Sequence, residues 1–368
     1  MTIAERRTDE LAGSSIRFQD VSKRYGDFTA VEPFSLDIHA GEFLSLLGPS
    51  GSGKTTVLMM LAGFETTSGG RIEIAGRDLT FVPANRRGIG MVFQRYALFP
   101  HMSVAQNIAF PLRMRKVPKP QIRSRVQTVL GMVQLEGHAD RLPNQLSGGQ
   151  QQRVAVARAL VYDPSVLLMD EPLGALDKKL REQMQLEIKA LQQSIGVTVV
   201  YVTHDQDEAL TMSDRVAVLH RGKFLQVASP KDLYLKPNDA LVADFIGKMN
   251  FADASVAAHR DGRLVLKTAD GGTIVSASAQ AAQGVSGPLR AGIRPEKLRL
   301  LAAGETSPFM FDGRVEKTIF VGSVQVVLVR ALGTLLHLHM LAQSDSPVAE
   351  GADVVVAYDP SHVLVFPS

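Results

Sequence analysis

Residues 41–64 read GEFLSLLGPSGSGKTTVLMMLAGF. The first eight predict a strand, because a short unbroken apolar run is the pattern of a strand covered on both faces. Residues 54–64 carry a helical pattern. Between them, GPSGSGKT (48–55) fits the spacing G-x-x-x-x-G-K-[ST] and sits where that spacing has physical meaning, after a strand and at the opening of a helix. Gly48, Gly51 and Gly53 let the chain turn tightly, so that the loop's backbone N–H groups surround phosphate oxygens, with Pro49, Ser50, Ser52 and Thr56 completing the expected ATP-binding loop. Lys54 brings a positive charge to the outer phosphates, and the Thr55 hydroxyl is a ligand for Mg²⁺. The bland alternative is a glycine-rich turn ahead of Lys-Thr. The flanking strand and helix speak against it.

A second stretch, VLLMDE (166–171), predicts a buried strand ending in two carboxylates. Acids at the carboxyl edge of a parallel sheet lie in the crevice where open α/β folds bind ligands. Asp170 is placed to hold magnesium through its water, and Glu171 to polarise an attacking water. Taken alone, the pair also suits a cap ahead of Pro172. A third stretch, LSGGQ (146–150), opens a helix whose apolar stripe is Val154, Ala157, Leu160 and Val161. Ser147 and Gln150 form a capping box. Gly148 and Gly149 cost about 1 kcal/mol each against alanine inside a helix. What they offer in return is bare backbone N–H at a helix start, where anions are favoured. The stretch asks for a phosphate.

The bulk properties narrow the partners. At 368 residues the chain is too long for one typical domain and comfortable for two. With 45% hydrophobic and 21% charged residues it is an ordinary globular composition. A net charge of +3 with no dense Lys/Arg run does not call for nucleic acid. The absence of cysteine excludes disulfides, thiolate chemistry and cysteine–zinc sites. The N-terminal tail 1–15 mixes both charge signs and is not read as a signal peptide. No stretch approaches the ~20 apolar residues of a membrane helix.

From Ile16 to about Gly247, strand patterns at 41–48, 71–76, 165–170, 197–203 and 215–229 alternate with helical patterns at 54–64, 103–115, 121–135, 150–162 and 178–195. That is the α/β signature. A strand-free helical insertion, a subdomain of about 95–160, interrupts it. After DFIGKMN (244–250) the texture changes to short strands, with turn signals at RDGR (260–263), ADGG (269–272), FDGR (311–314) and LGT (332–334). This predicts a small antiparallel barrel or sandwich over 248–368.

Three residues are ordinary in isolation. Gln94 follows the apolar GMVF, and His204 follows VTVVYVT, where a lone histidine is more often a structural hydrogen-bonder. Tyr25, in KRYGDF, reads as a half-buried strand aromatic, with stacking on a base the sharper option. In order along the chain, Tyr25, GPSGSGKT, Gln94, LSGGQ, VLLMDE, ALD (175–177) and THD (203–205) resemble the ABC ATPase family. That resemblance implies ATP and Mg²⁺. By it, Tyr25 stacks on adenine, Gln94 touches the metal and senses the transport partner, Glu171 is the general base, and His204 contacts the γ-phosphate. Ser147, Gly148 and Gly149 would clamp the γ-phosphate of an ATP held by a second copy's phosphate loop, and Asp177 would lie in the dimer-interface loop.

The interval from Lys54 to Ser147, about 90 residues, has room for a small helical subdomain and carries no coiled-coil heptads. With a single phosphate loop, the chain is expected to be a transport motor. Together VFQRYALFPHMSVAQNIAFPL (92–112), GALDKKLR (174–181), THDQDEALTMSDRVAVL (203–219) and GIRPEKLRL (292–300) resemble the polyamine import ATPases, and the C-terminal part resembles their transport-associated OB domain. The implied assembly is a homodimer at the cytoplasmic face of the plasma membrane, with two integral-membrane permease subunits and an external substrate-binding protein. Ferric iron, organophosphonate, thiamine or sugar as cargo stays open, as does a ligand-sensing role for the C-terminal barrel. Arg95 stands where relatives often carry a small residue. It either retunes contact with the membrane partner or is simply solvated.

Overall fold

The structure, a computed structural model, describes residues 13–94, 96–277, 287–342 and 348–368. Arg95 and most of the tail 1–15 therefore lie outside the described residues. The chain divides into two compact units, with the break between Leu235 and Lys236.

The first unit carries two sheets. Strands β1 (Ile16–Tyr25), β2 (Phe28–Ile38), β4 (Gly69–Ile74) and β5 (Arg77–Asp78) form an antiparallel sheet in the order β2-β1-β4-β5. Strands β3 (Phe43–Leu47), β6 (Gly90–Val92), β7 (Val166–Asp170), β8 (Thr198–Thr203), β9 (Arg215–His220) and β10 (Lys223–Ala228) form the second, in the order β10-β9-β3-β8-β7-β6. Its neighbours are parallel except β9 and β10. Every residue of β3 and β8 is buried, as their unbroken apolar sequence requires. On one face Leu44, Leu46, Leu168, Val200 and Val202 pack with Ile16, Phe18 and Ile72 of the antiparallel sheet and with Val57, Leu58 and Leu61 of the helix Lys54–Ala62. On the other, Phe43, Leu167, Met169, Val199 and Tyr201 pack against Val156 and Ala159 of the helix Gly148–Leu160 and Met184 and Ile188 of Lys178–Ile195.

Two strand patterns read differently in three dimensions. The run 215–229 is two strands, because Arg221 and Gly222 take positive φ of 47° and 79° and turn the chain back on itself. The pattern at 71–76 became β4, a partner of β1 in the antiparallel sheet, so hydrophobic continuity alone did not tell which sheet it joins.

The insertion is helical as expected. Helices Val104–Met114 and Lys119–Met132 pack against Gly148–Leu160 through Ile108, Leu112, Val129, Leu130, Val154 and Ala157. Among the described residues from Tyr96 to Ser147 there is no strand.

Among its described residues the second unit is all-β apart from one helical turn, Ala240–Phe245, and short 3₁₀ segments. Strands β11 (Asn250–Arg260), β12 (Arg263–Thr268), β13 (Thr273–Ser276), β14 (Leu289–Ile293) and β20 (Leu364–Pro367) form one antiparallel sheet, ordered β13-β12-β11-β14-β20. Strands β15 (Arg299–Leu300), β16 (Met310–Val321), β17 (Val324–Ala331), β18 (Thr334–Leu341) and β19 (Asp353–Ala357) form the other, ordered β15-β19-β16-β17-β18. Both contribute to one core that includes Leu264, Leu266, Leu289, Val327, Val329, Leu338 and Val356. The turns at RDGR, ADGG and LGT fall between strands as read, but FDGR does not. Gly313 lies inside β16, where an added Cβ would come 2.5 Å from Val329 Cγ1. A strand glycine that admits a neighbour's side chain looks, in one dimension, like a turn. Residues 236–247 go with this unit: buried Arg294 donates Nη1 to the carbonyls of Ala243 (2.8 Å) and Gly247 (2.7 Å).

One buried side chain holds the far end of the helix that opens at Lys54. Arg87 donates Nη1 to the carbonyls of Met60 (2.8 Å) and Leu61 (2.7 Å), Nε to Val82 (2.7 Å) and Nη2 to Thr80 (3.1 Å). The last carbonyls of a helix need partners, and here an arginine supplies them from outside the helix. Arg87→Ala leaves several buried carbonyls unpaired, so it should destabilise the first unit by about 3 kcal/mol. Urea unfolding followed by circular dichroism measures this, and an unchanged midpoint would contradict the cap.

Candidate functional site

Burial of the central strands forces polar chemistry to their ends. Strands β3, β8 and β7 are neighbours, with Leu47 opposite Thr203 and Val202 opposite Asp170. The residues that follow, Gly48, His204 and Glu171, therefore emerge side by side at one carboxyl edge, and Gln94 follows β6 at the same edge. The sequence scatters these positions across the chain; the sheet order brings them together.

The loop after β3 needs its glycines for two reasons. Gly51 and Gly53 take φ of 77° and 99°, in the left-handed region. Gly48 has no room for a Cβ, which would run into the Leu219 carbonyl. Pro49, Ser50 and Gly51 are exposed, Ser52 is buried, and Thr56 sits half-buried in the first helical turn. Lys54 is buried and reaches back over the loop, donating Nζ to the carbonyls of Gly48 (2.8 Å) and Pro49 (2.9 Å). Burial lowers the Lys54 pKa, opposed by the charges of Glu171 and Asp170.

Thr55 donates its hydroxyl to Asp170 Oδ1 at 3.3 Å. Burial raises the Asp170 pKa, and the Thr55 hydrogen bond opposes it. Lys54 and Asp170 are thus shifted in opposite directions by the same cause, loss of water. Each charged form would be restored by a counter-charge: an anion beside Lys54, a cation beside Asp170. Glu171 is a non-glycine residue at φ 43°, pinned by its N–H donating to the Val202 carbonyl at 3.0 Å. Its Oε2 accepts from Gln94 Nε2 at 3.2 Å and lies 3.2 Å from His204 Nδ1. The carboxylate therefore joins the ends of β6, β7 and β8.

Among the described residues no group of three His, Cys, Asp or Glu would hold a metal by itself. The donors at this edge are a hydroxyl, carboxylates and an amide, all hard oxygen ligands. Such a set suits magnesium, which binds through one or two protein oxygens and completes its shell with water and substrate phosphates.

Ser147 caps its helix as read: its Oγ accepts from Gln150 N (3.3 Å), and its N–H donates to Gln150 Oε1 (3.0 Å). The glycines also have a packing reason that sequence reasoning missed. A Cβ on Gly148 would stand 3.1 Å from Leu176 Cδ2, and one on Gly149 3.1 Å from Leu180 Cδ1. Asp177, expected in an interface loop, caps the helix Lys178–Ile195 by accepting from Leu180 N at 3.0 Å.

Three further residues gave no motif signal. Arg181 donates to the Leu176 carbonyl (3.0 Å) and to Asp205 (3.0 Å), tying loop 175–177 to the segment after His204. Beneath it, Glu208 Oε2 accepts from Tyr201 and Thr203, both at 2.7 Å. Glu65 accepts from the Tyr25 hydroxyl at 2.9 Å. A charge three residues downstream of an apolar helix end is too common to single out from sequence; only the fold aims it.

Comparison with known proteins agrees with this geometry. Residues 31–174 match the ABC transporter family model, and residues 291–366 match the TOBE domain. The chain is 48% identical to the spermidine/putrescine import ATP-binding protein PotA of Rubrobacter xylanophilus, covering 98% of this chain and 97% of that one. It is likewise 48% identical to a protein of the same name from Pseudomonas aeruginosa, over 85% and 87%. Among solved structures it resembles the dimeric, post-hydrolysis ATP-binding cassette MJ0796 bound to ADP and phosphate, at 35% identity and a TM-score of 0.52, covering 58% of this chain and 98% of that one. It also resembles cbiO1 from the ABC transporter complex cbiONQ of Clostridium perfringens, at 30% identity and a TM-score of 0.57, covering 60% and 90%. With the ABC transporter model over residues 31–174, the TOBE model over 291–366 and a relative 48% identical over nearly the whole length, the chain belongs to the family of ABC transporter ATP-binding proteins.

Proposed function

We propose that this chain is the ATP-hydrolysing motor subunit of an importer for spermidine and putrescine, working as a homodimer with two membrane permease subunits and an external binding protein. The observation that carries the ATPase reading is the convergence of Lys54, Thr55, Asp170, Glu171, Gln94 and His204 at one sheet edge. Among the described residues no helix is long and apolar enough to cross a membrane, so translocation itself falls to other chains. The cargo rests on similarity over nearly the whole length to proteins named for spermidine/putrescine import. Stimulation of ATPase activity by spermidine, in vesicles holding the co-encoded permease and binding protein, tests it. Stimulation by a sugar or ferric iron instead would reassign the cargo.

In this reading Tyr25 stacks on adenine, and the loop Gly48–Thr56 with Lys54 holds the phosphates. Thr55, Gln94 and Asp170 hold magnesium, which when bound neutralises phosphate charge. Glu171 accepts a proton from the attacking water, oriented by Gln94 and facing His204, which contacts the γ-phosphate. Ser147, Gly148, Gly149 and Gln150 act on the nucleotide of the second copy, with Asp177 at the interface between copies. A division of labour is part of the proposal: residues 16–247 hydrolyse ATP and the β-rich residues 248–368 serve transport, with 236–247 packed on the β-rich unit.

Glu171→Gln keeps the shape and the Gln94 contact but removes the proton acceptor. ATP binding should persist while turnover falls by about 10²–10⁴-fold. Turnover at the parent rate would exclude Glu171 as the base.

The shared-site reading makes a different demand. Lys54→Ala and Ser147→Arg each spoil both sites of their own homodimer. In a mixed dimer with shared sites, one site carries both lesions and the other carries neither. Mixing the two inactive variants with the membrane partner should therefore restore nucleotide trapping and part of the turnover. Neither appearing, in preparations where mixed dimers are shown to form, would overturn a clamp supplied by the neighbour.

A further inference from the structure

Tyr25 ends β1 and is 48% exposed, an unusual setting for an aromatic whose hydroxyl is nonetheless tied down. The tie is Glu65. One carboxylate oxygen accepts from the Tyr25 hydroxyl at 2.9 Å, and the other accepts from Lys23 Nζ at 2.7 Å. Lys23 is only 6% exposed, and its ammonium also donates to the Thr66 carbonyl at 2.7 Å. The same ammonium lies over the Tyr25 ring, 4.7 Å from its centroid. Lysine is seldom buried this far without partners, and here the partners are Glu65, the Thr66 carbonyl beside it and the ring. Lys23 first and Tyr25 second keep the Glu65 carboxyl below its usual range, so it stands as an ionised acceptor.

Glu65 is also fastened to the phosphate loop. The helix Lys54–Ala62 begins at the loop's lysine, and beyond its end the N–H groups of Gly63, Phe64 and Glu65 all donate to the Met59 carbonyl at 3.0–3.1 Å. The carboxylate thus rides on the element that positions Lys54, while the ring it holds rides on a strand of the other sheet. Lys23 occupies one face of the ring. About half of the residue remains exposed.

We propose that Glu65, braced by Lys23, is a positioning residue that sets the Tyr25 ring at a fixed place relative to the phosphate loop, so that a nucleotide's base and its phosphates are held in one geometry. This rests on the reading of Tyr25 as the base platform. A base then gains most from stacking when the ring is already held, because no side-chain freedom remains to be lost on binding.

The test is calorimetry on the full chain with Mg²⁺, comparing ATP with inorganic tripolyphosphate, which offers phosphates and no base. Tyr25→Ala should weaken ATP strongly. Tyr25→Phe and Glu65→Ala should each weaken ATP by about tenfold, the low end of what loss of a charge-assisted hydrogen bond costs, because the pair is exposed. Tripolyphosphate binding should not change in any of them. The double variant Tyr25→Phe with Glu65→Ala should be no weaker than the more affected single, since both remove one link. Glu65→Gln, which keeps an acceptor, should recover part of the loss. If Glu65→Ala weakens tripolyphosphate as much as ATP, it acts on the phosphate helix and the proposal is overturned. If Tyr25→Ala weakens ATP while Tyr25→Phe and Glu65→Ala do not, the platform stands and its positioning by Glu65 falls. If Tyr25→Ala leaves ATP affinity unchanged, the platform reading fails, and this inference with it.

Discussion

The burial of β3 and β8 on both faces is the constraint from which the site follows. A strand with no exposed side chain can host chemistry only where it ends. Parallel neighbours all end at the same edge, and a helix start with its unpaired N–H groups lies there as well. Lys54, Glu171 and His204 are thus neighbours because of sheet order, and the Glu171–His204 contact follows from it. The same desolvation that stabilises the strands shifts Lys54 and Asp170 away from their charged forms, which prepares the edge for a substrate and ion of complementary charge.

A buried polar network backs this edge from below. Tyr201 and Thr203 on β8 both donate to Glu208, whose pKa burial raises; Arg181 lies beside it and reaches the Leu176 carbonyl and Asp205. Buried polar groups of this kind are stable only when satisfied together, so a shift in loop 175–177 is felt at the segment after His204. The leucines of the 176–180 region close the circuit on the other side, since Leu176 and Leu180 lie against Gly148 and Gly149. The two glycines at that helix start thus serve packing within the chain. A larger residue there would push on the loop that Arg181 holds.

Much of this protein was legible in one dimension. The phosphate loop, the paired acids after an apolar strand and the capping box of Ser147 and Gln150 are local patterns, each set by residues a few positions apart, and local patterns survive without knowledge of the fold. The helical insertion was legible for the same reason, because a helical stripe is a local signal. Local reading went astray where a local signal has two tertiary meanings. Gly313 looked like a turn because glycine marks both turns and close approaches, and only the Val329 side chain distinguishes them. Run 215–229 looked continuous because the Arg221–Gly222 turn is too short to break an apolar pattern.

By itself, then, the order of residues determined which side chains could do phosphate chemistry and that the chain alternates strand and helix before turning to strands alone. What it left open was which scattered positions meet. Arg87, Arg181, Lys23 and Glu65 carry no motif, and each acts through partners distant in sequence: Arg87 on Met60 and Leu61, Arg181 on Asp205, Glu65 on Tyr25. Hydrogen bonds between remote residues depend on the order of strands and on where a helix ends in space. Those are properties of packed layers, and the tertiary structure alone decides them.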